Sequence, residues 1–162
     1  MRIVLDTLVA LMVAGILAGV TLHQRNRDSE EVQVEELARN VKILNREVQL
    51  RAALSQSSVA DRGFPEAIDP EWFQDALPRN PLLDDGRPWV EVATIDERSA
   101  GHPPDIGPED KLSAGFWYNP AKGIVRARVP IGLSDRGMLE LYNHVNDSNL
   151  GSRFPVSTTA SD

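Results

Sequence analysis

Hydrophobic and polar positions follow three different rhythms along the chain. Residues 3–22 (IVLDTLVALMVAGILAGVTL) are apolar or small except for Asp6. Twenty helical residues at about 1.5 Å rise are enough to cross a hydrocarbon core of about 30 Å. A helix apolar all round would need a larger core than the remaining chain can build. The run is also longer than the roughly 7 to 15 apolar residues of a cleaved secretory signal. A membrane anchor is the reading that fits. From Ser29 to Ser57 the rhythm becomes helical and one-sided: Val34, Leu37, Val41, Leu44 and Val48 follow a 3-4-3-4 spacing, with Glu31, Glu35, Glu36, Arg39, Lys42, Arg46 and Arg51 on other faces. The stripe breaks at Arg51, so it is short for an independent coiled coil, and it predicts an amphipathic helix packed on its own domain.

Residues 20–62 contain neither glycine nor proline, while all eleven prolines and all nine aromatic residues lie after Gly63. Span and stripe are therefore expected to form one rod of roughly 50 residues, about 75 Å long, joined to a body of different character. In that body the rhythm shortens. Pro70 to Leu77 predicts a short helix with Trp72 and Phe73 inward, and Trp89 to Ile95 (WVEVATI) predicts a strand after the turn at Asp84-Asp85-Gly86. Phe116 to Asn119 and Ile124 to Val129 predict a hairpin, since Pro120 pre-sets the φ of a type I turn and Gly123 accepts a positive φ. In the second strand Val125, Ala127 and Val129 alternate with Arg126 and Arg128, which predicts one buried and one wet face. Ser134 is a candidate cap for a last helix bearing Met138, Leu141, Tyr142 and Val145. The expected organisation is a transmembrane helix over 1–24, an amphipathic helix over 25–62, a small antiparallel sheet domain over 63–146 and a polar tail over 147–162. The fold class is α+β, a long N-terminal helix packed on a small antiparallel β-sheet.

Charge and composition narrow the function more than the fold. The chain has 162 residues, 17 basic and 24 acidic, with a net charge of -7, so a nucleic-acid partner is not expected. Arg2 on one side of the apolar run and Arg25 and Arg27 on the other leave the basic flanks nearly balanced, which fixes orientation weakly. Cysteine is absent, which removes disulfides, thiolate metal sites and Cys nucleophiles.

The N-terminal segment resembles a known family. Leu5 to Val20 places an acidic residue near the start of an apolar helix, with Gly15-Ile-Leu-Ala nine residues after Asp6. This is similar to the N-terminal helix of type IV pilins and type II secretion pseudopilins. Asp6 stands where that family usually has glutamate, and Gly15 matches its glycine. The downstream layout, a long helix followed by a small sheet with a Trp117-Tyr-Asn-Pro-x-x-Gly123 hairpin, is also similar. The family carries a short basic leader ending in glycine, whereas here only Met1 precedes Arg2. The resemblance implies a structural subunit in the inner membrane, N-terminus cytoplasmic and C-terminal domain periplasmic. Its expected partners are other pilin-like subunits and the secretion or pilus assembly machinery, and its product is a filament.

Each chemical element has a plainer reading beside it. In the family reading Asp6 neutralises the N-terminal amine of a neighbouring subunit; alone, it sits near a helix N-terminus, four residues from Arg2. Gly15-x-x-x-Gly19 permits close helix approach in a membrane, although small residues are common in spans. Asp84, Asp85, Asp105, Glu109 and Asp110 offer oxygen ligands of the kind calcium takes, as loops of some major pseudopilins do, but no ligand spacing joins them, and no cofactor or metal is assigned. Ser134, Asp135 and His144 do not form a triad by spacing. No phosphate loop or zinc spacing is present, so enzymatic activity is not expected. Three functions remain: a pilin-like assembly subunit, a single-span scaffold protein pairing through a short coiled coil at Val34 to Val48, and, weakest, an anchored ligand-binding or catalytic domain.

Overall fold

A computed structural model describes residues 29–54, 63–74 and 76–153. The chain divides into two compact units, Met1–Gln33 and Val34–Asp162, and the sheet and the core belong to the second. Helix α1 is described over residues 29–54, within the stretch that lacks glycine and proline. Among the described residues no helix is long and apolar enough to cross a membrane. The candidate span at 3–22 lies outside them.

The architecture is α+β: one long N-terminal helix and a small three-stranded mixed sheet. Strands β1 (Val90–Val92), β2 (Phe116–Asn119) and β3 (Ile124–Ala127) lie in the order β1-β2-β3. The β2–β3 hairpin is antiparallel, with Phe116 opposite Ala127 and Asn119 opposite Ile124. β1, however, runs parallel to β2, with Val90 opposite Phe116 and Val92 opposite Tyr118, so the sheet is not the purely antiparallel one expected. A parallel pair cannot be joined by a tight turn. The chain from 93 to 115 makes the return, and that long connection covers one face of the sheet.

Three expected elements are shorter than the sequence suggests, and one of them, β3, ends at Ala127 rather than Val129. The strand expected over 89–95 stops at Val92 because Thr94, whose N–H donates to the Glu97 carboxylate at 2.8 Å, turns the chain into a 3-10 turn at Ile95–Glu97. The helix expected from Pro70 to Leu77 is a single 3-10 turn, Pro70–Phe73, capped by Asp69 and ended where Gln74 takes φ 50. The hairpin behaves as its residues suggest: Gly123 sits at φ +62, and a Cβ there would collide with the Phe64 ring.

Helix α2 (Asp135–Asn146) starts at Ser134, whose Oγ accepts from Gly137 N at 3.2 Å, and ends at Asp147 in the left-handed region. Met138, Tyr142 and Val145 are buried. Of the residues expected as a tail, 147–153 are described: the Asn143 side chain accepts from Leu150 N and donates to Leu150 O, and Arg153 pairs with Asp135 at 2.9 Å. The core is one cluster in which Leu37, Val41, Leu44 and Val48 from α1 meet Phe116, Tyr118, Val125 and Ala127 from the sheet and Met138, Tyr142 and Val145 from α2. Full burial of each such aliphatic side chain contributes roughly 1.5–3 kcal/mol.

Candidate functional site

The residues singled out for assembly divide into two groups. Asp6, Gly15 and Gly19 lie outside the described residues. The stripe is described in full: Leu37, Val41, Leu44 and Val48 are buried and Val34 is half-buried, all in or against the core cluster. The inward face of α1 is thereby covered by its own chain.

Beside the stripe α1 carries two polar side chains that sequence reading did not single out. Asn45 accepts from Val125 N at 2.8 Å and donates to Val125 O at 3.1 Å, and Gln49 donates to Gly123 O at 3.2 Å. From α2, Asn146 accepts from Ala127 N at 2.7 Å and donates to Ala127 O at 3.0 Å. These are the outward-pointing groups of β3, the edge strand, and of the turn just before it. Three amides from two helices take the place of a fourth strand, which closes this edge to strand addition by another chain. The only sequence signal was a polar residue next to an apolar stripe, and such a residue is usually solvated.

The other sheet face is polar and covered. Arg128 is 5% exposed where the alternation predicts a wet position. Its guanidinium reaches Glu91 at 2.6 Å and the carbonyls of Ala114 and Asp105, while Arg126 donates to Asn146 O and Gly101 O. Asn119 donates to three carbonyls of the covering segment, those of Glu97, Arg98 and Ala100. The segment 97–114 thus satisfies its backbone through side chains of the strands beneath, and the arginine face is sealed rather than wet.

The candidate calcium acids are separated, and two of them, Asp105 and Asp110, accept local hydrogen bonds. Asp84 and Asp85 line one cavity, with Arg79, Arg87 and Trp89, whereas Asp105, Glu109 and Asp110 line another with Glu91, Glu97 and Arg128. Asp110 accepts from the N–H groups of Ser113 and Leu112 and from the Ser113 hydroxyl, bonds that hold its carboxyl below the usual range. Asp105 accepts from Gly107 N, in a turn of the same kind. No group of three or more His, Cys, Asp or Glu side chains placed to hold a metal occurs among the described residues. Ser134 caps α2, and His144 faces Glu35 at 3.1 Å.

One titratable contact joins the covering segment to the core. His102 Nδ1 lies 3.0 Å from the hydroxyl of buried Tyr142. Partial burial, and the nearby charges of Arg126 and Lys122, push the His102 pKa below its ordinary value; burial raises that of Tyr142.

The outward face of α1 is different in kind. Ile43 (42%) and Leu50 (48%) are exposed on it. Among the described residues, Arg39, Lys42 and Arg46 take part in no ion pair. Comparison of the chain with protein families, curated proteins and solved structures finds no match.

Proposed function

We propose that the chain is a pilin-like, pseudopilin-type structural subunit. Residues 3–22 hold it in the inner membrane with the N-terminus cytoplasmic and the α+β domain periplasmic. It assembles through its N-terminal helix into a filament of the type II secretion or type IV pilus kind. In this reading Asp6 pairs with a charged group of a neighbouring subunit and Gly15 and Gly19 allow close helix approach. The role is assembly rather than catalysis, and the partners are other pilin-like subunits and the machinery that assembles them.

The observation that carries the reading is the use α1 makes of its apolar stripe. Leu37, Val41, Leu44 and Val48 are buried against the chain's own sheet and α2. A scaffold protein pairing through that stripe would have to expose it, which weighs against the coiled-coil alternative. The outward face of the helix stays exposed, while the β3 edge is closed by Asn45, Gln49 and Asn146. Alkaline extraction and protease access on spheroplasts test the anchor: the account expects the chain in the membrane pellet and residues 63–153 open to external protease. Recovery in the soluble fraction, or protection of that domain, contradicts it.

A further inference from the structure

Two cations and two anions line one cavity of the α+β domain without pairing. Arg79, Asp84, Asp85 and Arg87 lie around a space of about 140 Å³ beside the first residues of β1 and β2, with Asn80 and Trp89 among its walls. Among the described residues none of the four charged groups forms an ion pair. The walls are fixed by their own hydrogen bonds. Asn80 donates to Gly115 O at 3.0 Å and to Arg128 O at 2.8 Å, and Trp89 donates to Pro78 O at 2.7 Å. Arg87 closes the turn that begins at Asp84, its N–H donating to Asp84 O at 3.3 Å, and its Nη1 donates to the carbonyls of Asp110 and Ser113. The guanidinium is thereby held at one end, and its other edge is unused. Nε is buried with no acceptor, and Nη2 donates to nothing among the described residues. Asp110, which feels the charge of Arg87, spends Oδ1 on Ser113 N and Leu112 N and makes no ion pair with it.

We infer that this cavity binds a small zwitterion of the α-amino-acid class, its carboxylate on Arg79 and the Nε–Nη2 edge of Arg87 and its ammonium facing Asp84 and Asp85. That edge carries two parallel N–H groups in the geometry that a carboxylate accepts bidentately. A buried donor without an acceptor is costly to leave so, and a carboxylate oxygen removes the cost. At about 30 Å³ of liquid volume per water molecule, the space takes about five non-hydrogen atoms, the number in glycine. A plain anion suits the cavity less, because two carboxylates share its lining, and a divalent one such as phosphate would set more charge against them. A plain cation leaves the Arg87 edge unmatched. A role for Arg87 as a strut between the turn and the 110–113 loop accounts for Nη1 but not for the opposite edge. All of these residues belong to the second compact unit, so the inference is independent of the anchor and of assembly.

Titration of the nitrogen-15-labelled full-length chain with glycine, in detergent micelles at neutral pH, tests it. The Arg87 Nε–H resonance is expected to shift saturably. Acetate, which lacks the ammonium, and glycinamide, which lacks the carboxylate, should each bind at least about tenfold more weakly than glycine. Arg87→Lys keeps the charge and removes the fork, and it should weaken glycine binding by a similar factor. Arg79→Gln changes an exposed side chain that holds no ion pair among the described residues, and it should weaken glycine binding without disturbing the 110–113 loop. It keeps the test decisive if Arg87→Lys unsettles that loop. The absence of a saturable glycine shift overturns the inference, as does glycinamide binding as tightly as glycine or a glycine affinity unchanged in Arg79→Gln. Acetate binding as tightly as glycine overturns the zwitterion as the ligand class.

Discussion

The two faces of the sheet present the same alternation and solve it in opposite ways. On one face Phe116, Tyr118, Val125 and Ala127 are covered by apolar side chains from α1 and α2. On the other, Trp117, Asn119, Arg126 and Arg128 are covered by a segment without regular helix or strand beyond its first residue, tied down by side-chain donors to backbone carbonyls. Burial of apolar area is non-directional and tolerates many partners. A carbonyl-by-carbonyl cover is directional, and each donor serves particular acceptors. The first face should therefore fail in proportion to the volume removed, and the second in proportion to the hydrogen bonds left unmade.

The largest effect is expected on the apolar face. Leu44 is fully buried, so Leu44→Ala in a fragment of residues 29–162 should lower the unfolding free energy by about 2–5 kcal/mol in chemical denaturation. A change near zero accompanied by lost self-association would restore the coiled-coil alternative.

On the polar face, Asn119→Ala removes the donor that serves the carbonyls of Glu97, Arg98 and Ala100. It should cost about 1–3 kcal/mol, with faster amide exchange confined to residues 97–114. Uniformly faster exchange would mean that this cover is not a separate unit.

Acidification probes the same cover through His102. Its folded-state pKa lies below the ordinary 6.5, so the unfolded chain binds more protons between the two values. The contribution is fully present above about pH 6.5 and is lost as pH falls from there through the folded pKa. His102→Gln should flatten the pH dependence of the denaturation midpoint over that window; an unchanged slope would assign the dependence elsewhere. The smallest effect belongs to the outward face of α1, where exposed Ile43→Ala should change the stability by no more than about 0.5 kcal/mol in chemical denaturation.

Legibility from the sequence divides along the same line. The 3-4-3-4 stripe, the Pro120 to Gly123 turn and the Ser134 cap are local patterns whose physics is complete within a few residues, and each has its counterpart in the structure. The parallel direction of β1 was not legible, because nothing in Trp89 to Ile95 states which neighbour it will pair with or in which direction. Arg126 and Arg128 read as wet because alternation reports which positions differ, not what lies above them. Asn45, Asn119 and Asn146 are the least legible, since an amide that replaces a strand edge or holds a loop has the same letter as a solvated one. The assembly residues Asp6, Gly15 and Gly19 rest on the resemblance of the N-terminal segment, outside the described residues.

The measurement that bears most directly on the central claim is therefore made in that segment. Full-length chains with Gly15→Cys or Gly19→Cys, oxidised in membranes, are expected to crosslink to one another. Adding Asp6→Ala should leave insertion unchanged but reduce the crosslink, because an unpaired partner in low dielectric costs about 1–3 kcal/mol per contact. Crosslinks that persist undiminished without Asp6 would remove its pairing role, and crosslinks absent in both backgrounds would contradict assembly through this helix.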